Sequence, residues 1–117
     1  MAKPILKHVI EGARAFVSVR GTWVRYTLAA TSRGMECEPT DSKAKKFCAH
    51  GALIRAAYDL TGDPADARRL AARAAMWVTG SGTPGEAFEQ IYTINDGQPV
   101  PSRNAILRLF DDGLARI

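Results

Sequence analysis

The sequence predicts a mainly α, α+β fold of about five helices with a small two-stranded hairpin after the first. Three observations carry this. Apolar residues recur at three- and four-residue spacing along most of the chain, capping residues and glycines punctuate those stretches, and β-branched and aromatic residues gather in one place, Thr22 to Leu28. The 117 residues and 46% hydrophobic content suit a single globular domain, 1–117, built around one core.

The first helix is predicted from Ile5 to about Val19, where Leu6, Val9, Ile10, Ala13, Phe16 and Val17 form one apolar face before Gly21. Thr22-Trp23-Val24-Arg25-Tyr26-Thr27-Leu28 then reads as a short strand. Ser32-Arg33-Gly34 reads as a turn, and Met35 to Glu38 as a second extended piece returning beside the first ahead of Pro39. A second helix is predicted after Thr40-Asp41-Ser42, any of which can cap it. It runs to about Leu60 and carries a stripe of Phe47, Gly51, Ile54 and Tyr58.

Asp63-Pro64 pairs a capping acid with proline at the first helical position and opens a third helix, with Leu70, Ala74 and Trp77 on one side and Arg69 and Arg73 on the other. Gly80-Ser81-Gly82 is a flexible connector, and Thr83-Pro84-Gly85-Glu86 is a capping box for a fourth helix, Pro84 to Ile94. Asn95-Asp96-Gly97 ends it in a turn. Pro99 and Pro101 keep the next residues extended until Ser102 caps a fifth helix that buries Ile106, Leu107, Phe110 and Leu114.

Composition narrows the function classes. No apolar stretch approaches the roughly 20 residues of a bilayer crossing, and Met1-Ala2-Lys3-Pro4 leads into no signal-peptide core. A cytoplasmic protein with no membrane association is expected. Cys37 and Cys48 are too sparse a framework for a disulfide-stapled secreted domain, so reduced thiols are expected. The net charge is +4, and 11 of the 16 basic residues are arginine, suited to phosphate or carboxylate partners.

Phe47-Cys48-Ala49-His50-Gly51-Ala52-Leu53, followed by Asn95-Asp96, resembles the pattern of a family of small bacterial and phage-encoded proteins, a domain of unknown function. That pattern is an aromatic-Cys-x-x-Gly-Ala-Leu helix with an Asn-Asp pair some forty-odd residues later. The resemblance covers nearly the whole chain and implies a shared fold. It implies no reaction, cofactor or catalytic residue.

Cys48 near a helix start is the nucleophile candidate, since the helix dipole can lower a thiol's pKa. The predicted second helix puts it about six residues in, past the first turn, and turns His50 about 200° away from it. A base would then have to come from His8, oriented by Asn95 or Asp96. Cys37, Cys48, His50 and His8 lack the short paired spacings of zinc sites, so no metal and no cofactor are expected.

The leading expectation is a non-enzymatic binding or regulatory protein that contacts another protein, with Asn95, Asp96, Arg69 and Arg73 as its binding residues. The alternatives are a nucleic-acid-associated accessory protein and a cysteine-dependent hydrolase or transferase. The first of these would use basic residues such as Lys43, Lys45, Lys46, Arg68, Arg69, Arg73, Arg103 and Arg108. Oligomeric state is left open by the sequence.

Overall fold

In the computed structural model, which describes residues 3–19, 21–97 and 103–117, the first helix, α1, spans Lys3–Ser18. Its predicted face is the buried one: Leu6, Val9, Ile10, Ala13 and Val17 all lie in the core. Three two-residue strands follow, β1 (Ala29–Ala30), β2 (Glu36–Cys37) and β3 (Lys46–Phe47), and then the helices α2 (Ala49–Thr61), α3 (Pro64–Thr79), α4 (Pro84–Asn95) and α5 (Arg103–Ala115).

Helix α2 is central, packing on α1, α3 and α4, while α5 closes the far side against α1 and α3. Phe110, Ile10, Leu53, Ile54, Ile91 and Ile106 are fully buried. Each such side chain contributes about 1.5–3 kcal/mol relative to exposure. Two glycines let helices approach closely. A Cβ on Gly12 would sit 3.0 Å from Ala56 Cβ, and one on Gly113 would sit 2.6 Å from Val78 Cγ1.

The helix starts foreseen at 63–64 and 83–86 are in place. The Asp63 carboxylate accepts from Asp66 N at 2.9 Å, with Pro64 at the first position. Thr83 Oγ1 accepts from Glu86 N at 3.2 Å and donates to the Glu86 carboxylate at 3.1 Å. The extended stretch expected around Pro99 and Pro101 and the Ser102 cap lie outside the described residues.

Two expectations are corrected. The antiparallel hairpin expected after α1 is present, with β2 inside the expected 35–38, but its first strand is Ala29–Ala30 and not 22–28, and β3 adds a third strand in the order β2-β1-β3, with Ala29 opposite both Cys37 and Phe47. Residues 22–28 contribute only a bridge from Trp23 to Phe47. The reason is local: Tyr26 has φ 67, and an extended strand cannot pass through a left-handed residue.

The second helix also begins at Ala49, well after Ser42. The preceding backbone is committed to the sheet region. Lys45 N donates to Ala30 O at 2.9 Å, Phe47 N to Thr22 O at 2.7 Å, and Cys48 N to Leu28 O at 3.1 Å. Asp41 caps only its own turn, accepting from Lys43 N at 2.8 Å. Phe47 therefore belongs to β3, and the helical stripe starts at Gly51.

Candidate functional site

Asn95 is the last residue of α4 and is 1% exposed, the one fully buried polar side chain among the described residues. Burial of an amide is tolerable only when its hydrogen bonds are met. Here all are. Its Oδ1 accepts from Trp23 Nε1 at 2.7 Å and from Ala49 N at 3.0 Å, and its Nδ2 donates to Val24 O at 3.1 Å and Asp96 Oδ1 at 3.0 Å. One side chain thus joins the 22–26 loop to the first turn of α2, where Ala49 N has no partner within its own helix.

Cys48 is the N-cap of α2, with extended backbone and a sulfur that accepts from Gly51 N at 3.3 Å. Gly51 is required by the packing beneath it, because a Cβ there would lie 1.8 Å from Leu28 O. The expected position of Cys48, six residues inside a helix, is thereby corrected. The Cys48 and His50 side chains share no hydrogen bond among the described residues, and His50 is not part of the cleft lining that includes Cys48. Cys48 borders the same cleft as Tyr92, and the Tyr92 hydroxyl shares a 2.6 Å hydrogen bond with His50 Nδ1.

That cleft, of about 290 Å³, is lined by Tyr26, Thr27, Leu28, Cys48, Tyr92 and Asp96. Asp96 follows α4 and accepts from Tyr26 N at 3.0 Å through the same Oδ1 that Asn95 binds. This bond holds Tyr26 in its left-handed conformation, where a non-glycine residue costs on the order of 1–3 kcal/mol. The side chain it presents is 67% exposed, and Tyr92 opposite is 41% exposed. Behind Tyr92, the His50 ring stacks on Phe88 with centroids 3.8 Å apart.

The electrostatics do not favour thiol chemistry. Burial pushes the Cys48 thiol up to about 11, the amides of Gly51 and His50 oppose that shift, and the Asp96 charge adds to it. Burial, with help from Arg68, pushes His50 down to about 4, so the imidazole is neutral at physiological pH. Tyr92 is raised chiefly by burial.

His8 stands apart from this group. It is exposed beside Glu11 on α1 and borders a groove with Asp59 and Leu60. Those residues are eleven and twelve positions along α2 from Cys48, which at helical rise is roughly 16–18 Å. Among the described residues, no group of three His, Cys, Asp or Glu side chains is placed to hold a metal ion. Cys37 and Cys48 are both free thiols. No helix among these residues is long and apolar enough to cross a membrane.

Of the four expected binding residues, the structure brings Asn95 and Asp96 together, in different roles: Asn95 is an internal tie and Asp96 faces the cleft. The arginines lie elsewhere. Arg69 pairs with Asp66 on its own helix, and Arg73 borders a depression with Leu6, Met76 and Trp77. Other basic residues are also dispersed. Arg68 binds Glu38 at 2.6 Å, Arg14 binds Asp111, and Lys43 and Lys45 flank a shallow notch with Arg33.

Sequence reasoning missed Tyr26 and Tyr92. Tyr26 was absorbed into an expected strand, and nothing nearby in the chain signals a left-handed residue, since the bond that fixes it comes from Asp96, 70 positions away. Tyr92 did leave a signal. With Phe88 it makes an aromatic pair at i, i+4 that ends three residues before Asn95.

The chain belongs to a family described as a family of unknown function, DUF6197, whose model matches residues 1–116. No curated protein matches the chain. No solved structure matches it either.

Proposed function

We propose that this protein is a binding module, a cytoplasmic protein of bacterial or phage origin that acts by contact with another protein and receives it at the Tyr26–Tyr92–Asp96 cleft. The observation that carries the reading is Tyr26. Among the described residues it is the one non-glycine with positive φ, and the energy stored there serves to present an exposed aromatic ring beside a concave surface. Strain of this kind collects at functional positions because a rigid surrounding structure must hold it. Exposed tyrosines give large contact area at low entropic cost, and they are enriched in protein interfaces.

The test is affinity capture from the native cell with wild-type protein, a Tyr26→Ala/Tyr92→Ala variant and an Arg69→Ala/Arg73→Ala variant. The reading expects a partner that is lost with the tyrosines and kept with the arginine changes. Retention of every captured protein by the tyrosine variant would overturn it.

One observation supports a second reading, nucleic-acid association. Arg33, Lys43 and Lys45 flank a notch of about 360 Å³ together with Thr31, Ser32 and Ser42, a combination of cations and hydroxyls suited to phosphate. Binding to duplex DNA or RNA that weakens steeply with salt and is lost on Lys43→Ala/Lys45→Ala would favour it. Salt-insensitive binding, or none, would remove it.

A further inference from the structure

We propose that the cleft selects a cation, the guanidinium of an arginine side chain carried by the partner protein, held between the Asp96 carboxylate and the rings of Tyr26 and Tyr92. The inference rests on the preceding reading of the cleft as the contact surface and adds the chemistry that it recognises.

Size comes first. A cleft of about 290 Å³ with six lining residues lies at the small end of the roughly 300–1,000 Å³ range of ligand pockets and has room for one inserted side chain. Charge comes next. Asp96 is the one acidic side chain in that lining, which also holds Cys48 and Tyr92. Its Oδ1 is occupied by Tyr26 N and Asn95 Nδ2, whereas Oδ2 takes no hydrogen bond from the described residues. A carboxylate oxygen with free lone pairs beside two exposed aromatic rings is complementary to a planar cation, which can stack on a ring while donating to the oxygen.

The nearby cations of this chain leave that position open. Arg25 lies over the Tyr26 ring at 5.2 Å and does not line the cleft, so the ring already accepts a guanidinium on one side. Arg68, which acts on Tyr92 and His50, is engaged by Glu38. A neutral or anionic insert would forgo the Asp96 interaction.

The test uses two probes, Nα-acetyl-arginine amide and its neutral isostere Nα-acetyl-citrulline amide, titrated into the folded protein and followed by amide chemical shifts. The arginine probe is expected to shift Tyr26, Thr27, Leu28 and Asp96 saturably, and the citrulline probe is not. Asp96→Asn keeps an oxygen that can accept from Tyr26 N and Asn95 Nδ2 but removes the charge. It should preserve the native spectrum and weaken the arginine probe about tenfold.

Equal shifts from both probes, undiminished binding to Asp96→Asn, or arginine shifts located elsewhere would each overturn the proposal. The two readings fail separately. If Tyr26→Ala/Tyr92→Ala loses a captured partner that Asp96→Asn keeps, the contact surface stands and cation selection falls. If the tyrosine variant keeps its partners, the contact surface itself is wrong.

Discussion

Replacing Asn95 with alanine should cost a substantial part of the protein's stability, and the cost can be worked out bond by bond. The substitution removes two acceptor contacts and two donor contacts at a residue that is 1% exposed. Ala49 N is left inside the core with no acceptor, while Trp23 Nε1 and Val24 O, both half-buried, recover some hydration. An orphaned buried group costs about 1–3 kcal/mol. Counting Ala49 in full and the other two at half value gives about 2–6 kcal/mol, against a total of about 5–15 kcal/mol for a domain.

Asn95→Asp discriminates further. It keeps Oδ1 for Trp23 and Ala49 but turns the donor facing Val24 O and Asp96 Oδ1 into an acceptor, so at neutral pH it should be at least as damaging as alanine. Urea unfolding followed by far-UV circular dichroism measures both, with the slope checked for two-state behaviour. A loss below about 1 kcal/mol for Asn95→Ala would refute the idea that this side chain ties the 22–26 loop to α2.

The remaining predictions concern packing and titration. Gly51→Ala should cost at least about 3 kcal/mol, above the usual range for overpacking, because its Cβ meets the Leu28 carbonyl and not a movable side chain; urea unfolding at near wild-type denaturant concentration would contradict this. Cys48 should resist iodoacetamide at pH 7.5 in the folded protein and react once unfolded, since it is buried and its thiol is pushed up to about 11. Rapid stoichiometric labelling of the native protein at Cys48 would revive a thiol-based activity. His50, pushed down to about 4 when folded, takes up its proton near 6.5 when unfolded, so the unfolded state binds more protons as pH falls. Stability should be full above about pH 6.5 and decline by up to about 3 kcal/mol toward pH 4. His50→Gln should flatten that decline, and an unchanged pH profile in the variant would show that His50 does not cause it.

The helices were legible because their signals are local. Leu6, Val9, Ile10, Ala13 and Val17 repeat at helical spacing, and Asp63-Pro64 and Thr83-Pro84-Gly85-Glu86 mark helix starts within four residues. The start of α2 was not, since it depends on where Phe47 N and Cys48 N find acceptors, at Thr22 and Leu28, some twenty-odd positions back. The cleft divides the same way. Asn95 and Asp96 stood out as short polar residues at a helix end, but their separate roles depend on Trp23, Val24 and Tyr26, which only the folded chain brings to them. Arg69 and Arg73 followed from helical periodicity as an exposed face, and periodicity carries no information on whether that face meets the turn at 95–97.

The central claim, that contact is made at the cleft and not on the arginine face, is tested most directly by site-specific photocrosslinking in the native cell, with a benzophenone amino acid at position 26, 92, 69 or 73. A discrete protein adduct is expected from positions 26 and 92 and none from 69 and 73. Adducts confined to 69 and 73 would contradict it.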